Sequence, residues 1–209
     1  GIFMSGIIAQ NTLDNSGLVK APAGGGAWNF ILKQTASSSS TLSFVHGSSG
    51  VDFSTYNQYI FTFNNIHPAT DNANFVFNGS DDDSSHSYDI TKTTTLFRAY
   101  HTEADDAAGM GYIAAADLAQ STAFQMLTDN IGNDNDTAAC GYLHLFNPSS
   151  TTFAKNFIAQ SILPYQDNMA WNGWIAGYFN TPADITSIQF KMDSGNIDAG
   201  DICLYGISS

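Results

Sequence analysis

The sequence predicts an all-β fold: an antiparallel two-sheet sandwich, jelly-roll-like, with an extended N-terminal arm. From Trp28 onward, short runs rich in Phe, Tyr, Ile and Thr alternate with clusters of Ser, Asn, Asp and Gly, which is the pattern of strands separated by turns. Helical periodicity is nearly lacking, and 209 residues suit one large all-β domain. Two packed antiparallel sheets are the economical arrangement for many short strands.

Residues 1–25 differ from the rest of the chain because no strand or helix period persists there. They run into the Pro/Gly segment 21–26, which is typical of a hinge. We therefore predict an N-terminal arm or linker over 1–25 and a β-sandwich domain over 26–209. Since an extended segment can order on binding and cover a large surface, the arm is expected to lie across a neighbouring subunit.

Eleven runs of the domain have strand composition and are bounded by turn residues. In the third run, Tyr59, Phe61 and Phe63 occupy alternate positions and are expected to share the inward face. In chain order the predicted strands are 28–34, 41–45, 59–66, 74–78, 95–100, 123–128, 141–147, 157–163, 169–179, 185–192 and 201–207.

The Ala-rich segment 103–120 is the one stretch with helical composition. Gly109 and Gly111 interrupt it, and the remainder supports about one or two turns at most. We predict a long loop here.

The charge balance restricts the partners. The chain has 6 Lys plus Arg against 19 Asp plus Glu, a net charge of -13. Phosphate backbones and anionic membrane surfaces require clustered cations, so we expect no nucleic acid and no membrane as a partner. The apolar runs are also far shorter than the ~20 residues that span a bilayer.

Catalytic motifs are not recognisable in the sequence. The five histidines lie in five separate segments, and Glu103 is the single glutamate. We therefore expect a non-enzymatic protein with no catalytic residue and no cofactor. A hydrolase or lyase that uses aspartates remains the minor alternative.

Two further features have alternative interpretations. The acidic stretch 129–136 offers Asp129, Asn133, Asp134 and Asp136 as a calcium loop, although it lacks the residue order of an EF-hand. A solvated turn is the favoured interpretation of this stretch and of the acidic cluster 81–83. The two cysteines, at positions 140 and 203, are interpreted as small buried apolar residues rather than as a disulfide.

Aromatic residues in 171–179 are candidates for glycan binding, since flat rings can stack on sugar faces. Strand alternation places Trp171 on one face and Trp174 with Tyr178 on the other, so one of the two sets must face inward. The outward set either binds a glycan or packs against a neighbouring subunit or loop.

Seven phrases stand in a fixed order along the chain, at 34–40, 59–63, 64–71, 143–148, 188–190, 194–200 and 202–207. They cover roughly residues 28–207 and end in an apolar-x-apolar-Tyr-Gly-Ile strand. In this order they resemble a family of bacteriophage virion proteins, especially small structural proteins of marine phages with a jelly-roll-like module.

This resemblance implies a virion location and a structural role as a capsid decoration, tail or fibre component. The implied partners are other virion proteins and further copies of the chain in a symmetric homo-oligomer, with a trimer as one option. The alternative is a carbohydrate-binding module that recognises host-surface glycans. The resemblance transfers no catalytic residue.

Overall fold

A computed structural model describes residues 27–165 and 168–208, and it confirms the all-β, two-sheet antiparallel sandwich. The predicted arm over 1–25 lies outside the described residues. All eleven predicted strands are found, with longer or shifted ends. Within the described residues the strands are β1 (Trp28–Ser39), β2 (Leu42–Val45), β3 (Gln58–Pro68), β4 (Phe75–Ser80), β5 (Lys92–Thr102), β6 (Ala108–Tyr112), β7 (Gln125–Met126), β8 (Ala139–Phe146), β9 (Lys155–Tyr165), β10 (Met169–Phe179), β11 (Ser187–Met192) and β12 (Ile197–Ile207).

The strand order is jelly-roll-like and carries an extension on one sheet. The order β1-β12-β3-β8 in one sheet faces β2-β11-β4-β7 in the other, and the chain alternates between them as in two Greek keys. The pair β5 and β6 and the pair β9 and β10 enlarge the first sheet to eight strands, in the order β1-β12-β3-β8-β9-β10-β5-β6. One sheet is therefore twice as wide as its partner.

Aromatic side chains fill the space between the two sheets. Phe75 and Phe190 stack at 5.6 Å within the four-stranded sheet, and Phe77 meets Phe157 of the other sheet edge to face at 5.1 Å. Such pairs add about 0.5–1.5 kcal/mol each beyond their burial. The predicted inward face of β3 is confirmed, because Tyr59, Phe61 and Phe63 are all buried.

The prediction of a loop throughout 103–120 is wrong, since β6 lies within that segment. It pairs antiparallel with β5, with Ala108 opposite His101 and Tyr112 opposite Phe97. Gly109 is compatible with the strand because the ring of Tyr100 packs against it, 3.0 Å from the position that the β-carbon of another residue would take. The ladder and this ring supply the order that the local composition lacks.

Both ends of the described chain lie at one edge of the eight-stranded sheet. β1 is the edge strand and pairs with β12, and the amide of Ser208 donates to the carbonyl of Ala27 at 3.0 Å. Among residues 27–165 and 168–208, no helix is long and apolar enough to cross a membrane.

Candidate interaction surface

Strand alternation divides the side chains of β10 between two environments. Trp171 is 1% exposed and points toward the four-stranded sheet, with its indole over the α-carbon of Gly173. Trp174 is 40% exposed and points away from the core, and the half-buried Tyr178 has the same orientation. Of the three predicted glycan-binding residues, Trp174 and Tyr178 are therefore on the outer face, the side of the eight-stranded sheet turned away from the four-stranded sheet.

A raised aromatic row crosses the outer face. Phe97 opposes Trp174 on one side and Tyr112 on the other, and the rings of Phe97 and Trp174 are stacked at 6.4 Å and 9°. All three are at least 40% exposed. We call these three residues the ridge.

A depression of about 830 Å³ lies beside the ridge, two residues further along the same strands. Small side chains such as Ala99 and Ala170 project less than the ridge aromatics, so the surface steps down between the two rows. We call the depression the trough. Its outer-face lining includes Ala99, Cys140, Ile162, Pro164, Ala170 and Asn172, and Glu103 is its one acidic lining residue.

In the six strands from β3 to β6, the Asp, Glu, Lys and Arg side chains of the strands themselves point inward. Within β3, β8, β9, β10, β5 and β6, the Asp, Glu, Lys and Arg residues are Lys92, Arg98 and Lys155. All three occupy the alternate strand positions that also hold the buried residues, so their side chains point inward. Burial lowers the pKa of His144 on the outer face, which favours its neutral form. The outer face of six described strands is thus free of carboxylate, ammonium and guanidinium groups.

The ammonium groups on the inner side lie within the core. Nζ of Lys92 donates to the carbonyl of Ile90 at 3.1 Å, and Nζ of Lys155 donates to the carbonyl of Thr181 at 3.1 Å. Burial lowers the pKa of Lys92 to about 7 and also lowers the pKa of Lys155. These positions leave neither group available to a partner on the outer face.

A second aromatic cluster lies on the same face at the β1 edge. Tyr205 contacts Trp28 at 5.5 Å and Phe30 at 5.7 Å between ring centroids, and the latter two are more than half exposed. Sequence reasoning placed Trp28 in a strand but did not single it out as a surface residue. The alternation of Trp28 and Phe30 indicates that both side chains lie on one face of β1. Which face of the sheet this is depends on the pairing of β1 with β12.

The acidic stretch 129–136 does not gather its side chains around one point. The carboxylate of Asp129 faces inward and lies 3.3 Å from the guanidinium of Arg98, while burial raises its pKa. The backbone N–H of Asn133 donates to the carboxylate of Asp71, and the backbone carbonyl of Asp134 accepts from the backbone N–H of Thr137. Within residues 27–165 and 168–208, the Asp136 side chain makes no hydrogen bond, and no group of three His, Cys, Asp or Glu is placed to hold a metal. The calcium loop stays a prediction.

The other sequence candidates take part in local contacts. In the cluster 81–83, Asp82 accepts hydrogen bonds from Ser84 and Ser85, which lower its pKa well below the usual range. His101 is exposed and contacts Asp105 at 3.0 Å. Cys140 and Cys203 are free thiols and only half-buried, so burial is less complete than the sequence predicts.

Comparisons of the chain with protein-family models, curated proteins and solved structures found no match. The geometry and the sequence pattern therefore carry the functional argument.

Proposed function

We propose that this protein is a non-enzymatic structural subunit of a bacteriophage virion, a capsid decoration, tail or fibre component that packs against other subunits through its outer face. The observation that supports this role is the aromatic outer face, which is free of Asp, Glu, Lys and Arg across β3, β8, β9, β10, β5 and β6, on a chain whose net charge is -13. Eight of the nine large apolar side chains exposed in the described residues, all except Phe153, lie on that face. The virion setting is supported by the resemblance of the sequence phrases alone.

The energetics favour protein packing over solvent exposure. Monomeric soluble proteins rarely leave an apolar patch larger than a few hundred Å² uncovered. The trough is lined mainly by apolar groups, whereas a small-molecule site also has a few convergent polar groups. A neighbouring subunit is the partner that removes most of this surface from water.

The proposal is tested by size-exclusion chromatography with light scattering on the full chain, followed by electron microscopy. We expect an ordered oligomer whose mass is a multiple of 22.4 kDa. A stable monomer at about 100 µM, well above a micromolar Kd, would contradict a self-assembling subunit.

A carbohydrate-binding module is the second candidate, and one observation favours it. Beside the exposed ring of Trp174, Gln160 donates to Asn172 at 3.2 Å, which places amide groups next to a stacking platform. A glycan array with the full chain tests this candidate. Binding that is lost in Trp174→Ala and retained in Phe153→Ala would support it, and an array with no bound glycan would exclude the glycans displayed.

A further inference from the structure

The outer face can accept a second copy of this chain at little electrostatic cost. Two chains that each carry -13 repel one another over most approaches. The outer face of β3, β8, β9, β10, β5 and β6 offers an approach with few like charges, since these strands place no Asp, Glu, Lys or Arg there. Glu103 is the one acidic lining residue of the trough, so the surface suits a largely uncharged protein face such as its own.

The ridge and the trough of the outer face have complementary shapes. The ridge and the trough run side by side across the strands, with Phe97 next to Ala99 on β5 and Trp174 next to Asn172 on β10. A two-fold axis parallel to the ridge and lying between two facing sheets interchanges these rows. The ridge of each copy then meets the trough of the other, so the two contacts are equivalent, as an isologous interface requires.

The area of the face is sufficient for a stable dimer. Six strands about 4.8 Å apart, with five residues in β6, eight in β8 and eleven in each of the other four at about 3.3 Å per residue, cover on the order of 900 Å² before side-chain relief is counted. Specific interfaces bury about 800 Å² per partner. The ridge supplies Trp and Tyr, which are residue types in which binding energy concentrates in such interfaces.

We propose that two copies of this chain pair through their outer faces, with the ridge of each copy in the trough of the other. This pairing rests on the proposed structural role and names the first contact of the assembly. The aligned packing of two twisted sheets is a known mode of sheet association.

Two substitutions test this pairing, one by placing a charge on the ridge and the other by placing a charge in the trough. Trp174→Lys puts an ammonium on the ridge, and Asn172→Asp puts a carboxylate in the trough while keeping the acceptor for Gln160. We expect each variant alone to raise the dimer Kd at least about tenfold, because each pair then contains two buried charges without partners. Phe153→Asp is the matched control, since Phe153 is 71% exposed and lies outside the sheet, and its Kd should match the wild type.

Mixing the two variants distinguishes this geometry from general apolar association. In a mixed pair, one contact joins the lysine ridge to the aspartate trough, and the other contact is wild type in both halves. We expect an equimolar mixture to recover dimer mass by light scattering where the separate variants do not. Thermal unfolding of each variant confirms that the monomer remains folded.

The outcomes separate this pairing from the broader structural role. If the wild type assembles and both face variants assemble equally well, the pairing is wrong and the structural role stands. If the variants dissociate but their mixture does not recover, ridge-in-trough packing is wrong. A wild type that stays monomeric overturns the pairing and the self-assembling subunit together.

Discussion

A buried hydroxyl on β9 offers a direct test of core energetics. Oγ of Ser161 has no hydrogen-bond partner among the described residues, whereas Oγ1 of Thr94 bonds to Gln125 and accepts from the amide of Leu118. Removing an unpaired buried polar group is neutral or favourable, and removing a bonded one leaves its partners unsatisfied. We expect Ser161→Ala to stabilise the fold by up to about 1 kcal/mol in urea unfolding, and Thr94→Val to destabilise it by about 1–3 kcal/mol. Equal losses in both would contradict this assignment.

The buried ammonium of Lys92 makes stability depend on pH. Its pKa is about 7 in the fold, lowered by burial, against about 10.4 for an unfolded lysine. Between these values the unfolded chain binds the extra proton, so stability is reduced near pH 7 and rises toward pH 10. Lys155 acts in the same direction. Above pH 10 the trend reverses, because Tyr59, with a pKa raised to about 12 by burial, stays protonated only in the fold.

We therefore expect the Tm to increase between pH 7 and pH 9.5 in differential scanning calorimetry. Lys92→Met should reduce this slope and raise the Tm at pH 7, since it removes the buried ammonium and keeps the apolar stem. Lys33→Met, at the exposed pair with Asp201, is the control and should preserve the slope. An unchanged slope in Lys92→Met would show that Lys92 is solvated.

At the scale of the element, the packing of Trp171 in β10 requires a glycine at position 173. A β-carbon at Gly173 would lie 2.1 Å from the ring carbon Cη2 of Trp171, so the indole occupies the place of the missing side chain. We expect Gly173→Ala to displace the indole and destabilise the domain by about 2–4 kcal/mol, with loss of the near-ultraviolet circular dichroism of that ring. Gly111→Ala, which meets no atom within 4 Å, is the control and should change stability by less than about 1 kcal/mol. A similar loss in both variants would point to a backbone effect.

The sequence predicts most elements because strand alternation is a local property. Every predicted run from 28 to 207 contains a strand, and the separation of Trp171 from Trp174 follows from alternation alone. β6 was missed because its order comes from pairing with β5 and from the ring of Tyr100 over Gly109, neither of which composition reveals.

The candidate surface was less predictable for a related reason. The ridge joins residues from three strands, β6, β5 and β10, that are distant in sequence, so it exists only once the sheet order is known. The pairing of Asp129 with Arg98 similarly spans 31 residues and could not be read from the acidic stretch itself.

At the scale of the whole molecule, the segment 1–25 and the outer face have separable roles in assembly. The segment lies outside the described residues, and we predict that it lies across a neighbouring subunit. Deleting it should leave the Tm of the domain within about 2 °C, because the two described sheets pack against each other through residues of 28–207. The deleted chain should form the face-to-face pair and no larger particle. Larger particles of normal appearance in electron microscopy would rule out a role for the segment.

The hydrogen bond between Ser208 and Ala27 brings the two ends of the domain together at the β1 edge, five strand positions from β10. A short linker across this point would allow circular permutation, with new ends opened in an exposed loop such as 147–154.

Because the two ends lie at the β1 edge, a fluorophore or affinity tag fused at Ser208 would also stand about 24 Å from the ridge. Labelled copies can therefore report on subunit contacts by energy transfer without covering the surface under study.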